Sequence, residues 1–116
     1  MGLFWVFLLC IFDTGFFFFI KNGKSTTILS LTWCVAKPSS DEATLQANIN
    51  YACEHVDCSL IKKGCPCFSP ESLINHASVV MNLYYQCKGR NQWNCHFGGS
   101  GLVTITDPSY SSCVYE

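Results

Sequence analysis

The 116 residues, with nine cysteines and seven Lys and Arg against eight Asp and Glu, describe one small, nearly neutral domain. No basic cluster exceeds Lys62-Lys63, so the chain has no electrostatic footprint for nucleic acid or for an anionic membrane.

The first element in chain order is an apolar run, Leu3 to Phe12, broken by Asp13 and followed by a second run, Phe16 to Ile20. Its length and the small residues Gly23 and Ser25 fit a secretory signal peptide over residues 1–25, cleaved after Ser25. No Lys or Arg precedes the run, and Leu3 to Ile20 almost reaches membrane-spanning length, so an uncleaved N-terminal anchor is the alternative. The expected domain, residues 33–116, keeps eight cysteines, an even number that in a small secreted chain reads as a disulfide framework. Cys65-Pro66-Cys67 has no second CxxC or HxxxH to complete a zinc site and no C-x-x-C redox centre on a βαβ unit, so neither metal nor cofactor is expected.

Ser39 followed three residues later by Glu42 reads as a capping box opening a first helix. Leu45, Ile49, Ala52, Cys53 and Val56 give that helix one buried stripe. Ser69 as N-cap with Pro70 at the first position opens a second helix, which runs through Leu73, Ala77, Val80, Met81 and Tyr84 to a stop at Gly89. After Gly89, Trp93 to Phe97, Leu102 to Thr106 and Cys113 to Tyr115 read as short strands, with turns at Gly98 to Gly101 and Asp107 to Tyr110. The expected fold class is α+β: two helices followed by a small antiparallel sheet, a disulfide-rich single domain.

Several segments together resemble the plant carbohydrate-binding module of family forty-three. They are Trp33 to Cys53, Asp57 to Ile61, Pro66 to Ser78, Met81 to Gln86, Trp93 to Gly101 and Thr106 to Tyr115, covering almost all of the chain from Trp33 on. That module occurs as the accessory domain of plant endo-1,3-β-glucanases, in plasmodesmal callose-binding proteins and as small pollen allergens. The resemblance implies non-catalytic binding of 1,3-β-glucan in the cell wall or apoplast. It also implies disulfides joining Cys34 to Cys95, Cys53 to Cys58 and Cys67 to Cys113. Cys65 and Cys87 are additions to the family pattern and candidates for a fourth bond. A helix of about seventeen residues would separate them by roughly 25 Å, far beyond the reach of a disulfide of about 7 Å. The bond therefore requires the loop Ser59 to Gly64 to fold back along the helix; otherwise the connectivity shifts or both thiols stay unpaired.

Projected at helical periodicity, Leu73, Ala77, Val80 and Tyr84 form the buried stripe of the second helix, with Asn75, Asn82 and Gln86 opposite and Tyr85 at the margin. Amides offer a donor and an acceptor each, which suits sugar hydroxyls; the plainer alternative is a solvated face. Aromatic planes supply the apolar half of sugar recognition. The candidate carbohydrate-binding residues are thus Asn82, Tyr85, Gln86, Arg90, Trp93, Phe97 and Tyr110, with Phe68, Tyr84 and Trp33 assigned to packing. No carboxylate pair stands out for glycoside hydrolysis, because Asp41, Glu42, Glu54, Asp57, Glu71 and Asp107 all sit in caps or turns. The expectation is a secreted, monomeric, non-catalytic glucan binder. The alternative is a disulfide-stapled scaffold with a protein partner and no retained glucan binding.

Overall fold

A computed structural model describes residues 31–116, so the expected signal segment, residues 1–25, lies outside the described residues. The order is β1 (Trp33–Ala36), α1 (Glu42–Cys53), a short 3₁₀ turn (Ser59–Ile61), α2 (Leu73–Cys87), two further 3₁₀ turns (Gln92–Cys95 and Phe97–Gly99) and β2 (Gly101–Thr104). Two helices, a two-stranded antiparallel sheet and disulfides make an α+β domain.

The placement of the strands differs from the reading of the sequence. β1 precedes both helices and pairs with β2 in the register Trp33 to Thr104, Cys34 to Val103, Val35 to Leu102 and Ala36 to Gly101. Trp93 to Phe97 forms 3₁₀ turns rather than a strand, because Phe97 (φ 44°), Gly98 and Gly99 adopt left-handed backbone that no extended segment accommodates. Cys113 contributes only an isolated bridge to Tyr110.

Both helices start later than their cap signals indicate. Asp41, not Ser39, caps α1, its Oδ1 accepting the Thr44 N–H at 2.8 Å. This bond holds the Asp41 carboxyl below the usual carboxylate range. Ser72, not Ser69, caps α2 by accepting the Asn75 N–H at 3.2 Å. At its other end α2 stops at Gly89 (φ 98°), as the glycine predicts, with the Gly89 N–H on the Gln86 carbonyl and the Arg90 N–H on that of Tyr85.

From Ala77 to Gln86 every residue of α2 is buried, which makes it the central element of the fold. Ala77, Met81 and Tyr85 pack with Cys34, Ala36, Leu45 and Cys95. Val79 and Leu83 pack with Trp33, Leu60, Cys67, Cys113 and Tyr115. Val80 and Tyr84 meet Ala52 of α1. The alternation of β1 distributes Trp33 and Val35 to one of these clusters and Cys34 and Ala36 to another.

The remaining stripe of α2 is polar and lies against β1. Ser78 Oγ accepts the Ala36 N–H at 2.9 Å, Asn82 Oδ1 accepts the Cys34 N–H at 3.0 Å, and Gln86 Nε2 donates to the Thr32 carbonyl at 3.0 Å. Side chains four residues apart on a helix advance by about 6 Å, close to two residues of strand. The i, i+4, i+8 series therefore matches backbone groups at 36, 34 and 32 and serves β1 as a third strand would.

Disulfides join Cys34 to Cys95, Cys53 to Cys58 and Cys67 to Cys113, the same three pairs that the resemblance implies. Cys65 and Cys87 are not bonded to each other: Cys87 is a free, exposed thiol in the last turn of α2. The fifteen residues of that helix span about 20 Å, and Cys65 lies ahead of its first turn.

Candidate functional site

Trp93 is 74% exposed, an unusual position for the largest apolar side chain. The loop that presents it is fixed at both ends. Arg90 (φ 62°) is tied to the Tyr85 carbonyl, and the Asn91 amide donates to the Lys88 carbonyl at 3.2 Å and to Asn94 Oδ1 at 3.1 Å. Two residues beyond the tryptophan, Cys95 is buried and bonded to Cys34 of β1. With both neighbours held, the indole has nowhere to pack and stands outward.

A shallow groove of about 510 Å³ lies on one side of Trp93, between the 3₁₀ turns and the two helices. Tyr51, Tyr84, Trp93 and Phe97 give it an aromatic lining, and Asn48, Asn94 and His96 add hydrogen-bonding groups. Tyr51 reaches in from α1 and is 46% exposed. Its ring centroid is 5.4 Å from that of Tyr84 and 6.3 Å from that of Phe97, while Tyr84 and Phe97 are 5.6 Å apart. The three rings meet edge to face, at 64°, 84° and 69°. His55 leans on Tyr51 at 4.7 Å, and the Lys88 ammonium lies 5.6 Å from the Tyr84 centroid.

The polar groups of this groove are held from behind. Asn48 is buried and donates to Ser100 Oγ at 2.8 Å, which in turn donates to the Phe97 carbonyl at 2.6 Å, pinning the left-handed turn. The Tyr51 and Tyr84 hydroxyls are 3.2 Å apart; that bond, and then burial, raise the Tyr84 pKa above the usual phenol value. No Asp, Glu, Lys or Arg lines the groove, and the nearest ammonium, that of Lys88, sits over the Tyr84 ring.

A second groove of about 530 Å³ opens on the other side of Trp93, lined by Lys37, Gln92, His96, Leu102 and Val103. Trp93 and His96 border both. Neither groove contains a carboxylate. Asp41, Asp57 and Asp107 are committed to backbone and hydroxyl donors at Thr44, Ser59 and Ser109. Among the described residues no His, Cys, Asp and Glu cluster is arranged to hold a metal ion, and no helix is long and apolar enough to cross a membrane.

Of the seven carbohydrate-binding candidates, the structure brings Trp93 and Phe97 together. Asn82, Tyr85 and Gln86 are corrected: they are 1%, 1% and 4% exposed and face β1, with the Tyr85 hydroxyl 2.6 Å from Thr32 Oγ1. The helical projection finds their common side correctly, but β1 occupies that side in place of solvent. Tyr110 lines neither groove; it is half-buried by the first turn of α2, its hydroxyl on the Ser69 carbonyl at 2.6 Å and on Asn75 Oδ1 at 2.9 Å. Arg90 is half-buried and lines neither groove. Tyr51 escapes the sequence reading, although an aromatic ring off the apolar stripe of α1 is a visible cue. Tyr84, assigned to packing, is both packed and groove-lining.

The X8 domain family model matches residues 32–102. A glucan endo-1,3-beta-glucosidase of Triticum aestivum is 55% identical over 83 residues, 72% of this chain and 18% of that protein. A glucan endo-1,3-beta-D-glucosidase of Olea europaea is 49% identical over 83 residues, 71% of this chain and again 18% of the relative. The major pollen allergen Ole e 10 of Olea europaea is 45% identical over 85 residues, 72% of this chain and 69% of the allergen. The chain thus spans less than a fifth of the length of the two glucosidases. X8 and carbohydrate-binding module family forty-three are one family under two names. The family match runs from β1 through both helices and the Trp93 turn into β2, and the chain belongs to the X8 domain family.

Proposed function

We propose that this protein is a non-catalytic binder of 1,3-β-glucan, secreted to the plant cell wall or apoplast, with the Trp93 groove as its site. The observation that carries the reading is an exposed indole at the mouth of a carboxylate-free groove of aromatic rings and amides. Pyranose rings present apolar faces that lie on aromatic planes, while their hydroxyls accept and donate to groups such as Asn94 and His96. A neutral polymer suits a groove without carboxylates.

Most glycoside hydrolysis uses two carboxyl groups about 5–9.5 Å apart across the bond, and neither groove offers a carboxylate. The relatives point the same way. The segment shared with the glucosidases is a minor part of their length, and a protein only moderately longer than that segment, Ole e 10, exists by itself.

Affinity electrophoresis of the oxidised protein in gels containing laminarin, a soluble 1,3-β-glucan, tests the proposal, with a 1,4-β-glucan gel as control. Retardation in the laminarin gel alone is the expected result. Equal mobility in every gel would refute it and favour a scaffold with a protein partner.

A further inference from the structure

Trp93 separates two grooves of almost equal size, and only the aromatic one is used by the function proposed above. We propose that the second groove, lined by Lys37, Gln92, Leu102 and Val103, is an outer subsite for the same polysaccharide chain, which crosses the Trp93 ridge from one groove into the other. The inference rests on the reading of the first groove as a glucan site.

Each groove is small for a polymer. Volumes of about 510 and 530 Å³ lie in the lower half of the range for small-ligand sites, so either groove alone takes a short stretch of chain. Both are bordered by Trp93 and His96, so the two grooves adjoin at the indole and a chain can run from one to the other along it. The second groove also has the amphipathic chemistry a sugar needs. Leu102 is 45% exposed on β2 and offers an apolar surface, while Lys37 and Gln92 supply hydrogen-bond donors.

Ring geometry favours a bent path. A flat 1,4-β-glucan ribbon is met by coplanar aromatic rings, whereas Tyr51 and Phe97, the more open rings of the first groove beside Trp93, stand at 84° to one another. A chain with β-1,3 linkages curves, and a groove, ridge and groove in sequence follow such a curve. Leu102 is held at its place by the pairing of β2 with β1, and Gln92 by the Trp93 turn itself, so the outer subsite is built on the elements that fix the indole.

Calorimetric titration of the oxidised protein with a 1,3-β-linked trisaccharide and hexasaccharide tests this, with the Gln92→Ala/Leu102→Ala variant beside the wild type. In the wild type the hexasaccharide should bind on the order of tenfold more tightly, as added hydrogen bonds and apolar contact predict. In the double variant that ratio should fall towards one. Gln92→Ala alone, at an exposed turn position, should lower the ratio in part and covers the case in which Leu102→Ala disturbs β2. A wild-type ratio near one, or a ratio unchanged in both variants, would overturn the outer subsite while leaving the first groove intact. Failure of either sugar and of laminarin to bind the wild type would overturn the glucan reading itself.

Discussion

Asn82 shows how one side chain can mislead a projection and still explain the fold. Its Oδ1 accepts from the Cys34 backbone at 3.0 Å and lies 3.3 Å from Gln86 Nε2, so a single buried oxygen serves both β1 and the next turn of its own helix. Asn82→Ala would leave the buried Cys34 N–H without an acceptor and should cost about 1–3 kcal/mol. Urea unfolding checks this; a midpoint equal to that of the wild type would show that the polar stripe does not hold β1. The amide pattern of α2 is visible in the sequence, but its partner is not. The groups it serves lie some fifty positions upstream, and periodicity reports only that a face is polar, not whether water or a strand satisfies it.

At the scale of elements, the helices were legible because their apolar spacing persists over several turns. Their starts were not, since Ser39, Asp41, Ser69 and Ser72 are all competent caps. The Leu102 to Thr106 run overlaps β2, but its partner Trp33–Ala36 is only four residues long and carries no turn signal linking the two. Trp93 to Phe97 has the alternation of a strand, and its conformation is decided instead by left-handed backbone at Phe97 to Gly99 and by the Cys95 anchor. Gly101 illustrates the close fit that results, for a Cβ there would overlap the Cys95 carbonyl. The length of α2 likewise explains why Cys87 remains a thiol. Iodoacetamide should modify Cys87 in the native protein, and Cys87→Ser should leave the melting temperature and laminarin retardation as in the wild type. A Cys87 that resists alkylation until the protein is reduced would contradict this placement.

Considered whole, the molecule is a helix surrounded by three small clusters and closed by disulfides that link β1 to the Trp93 turn and the α2 entry to the C-terminal segment. Bonds of this kind contribute about 2–4 kcal/mol each by constraining the unfolded chain. The core sets an alkaline limit. Burial, and secondarily Tyr110, raises the Tyr115 pKa well above the ordinary phenol value of about 10. The folded state therefore retains a proton that the unfolded chain releases. Its contribution is complete below the unfolded pKa and is lost as pH rises through the folded one. The urea midpoint should fall above about pH 10, and less steeply in Tyr115→Phe. Parallel pH profiles for the two proteins would count against burial of this phenol.

The central claim is that Trp93 is the contact surface for 1,3-β-glucan. Indole N–H resonances give the most direct measurement, because Trp93 is exposed whereas the Trp33 ring is buried and its Nε1 has no hydrogen-bond partner. On titration of the ¹⁵N-labelled protein with soluble laminarin, the Trp93 resonance should move saturably and that of Trp33 should stay in place. Saturable laminarin binding with the Trp93 resonance unmoved would contradict the account.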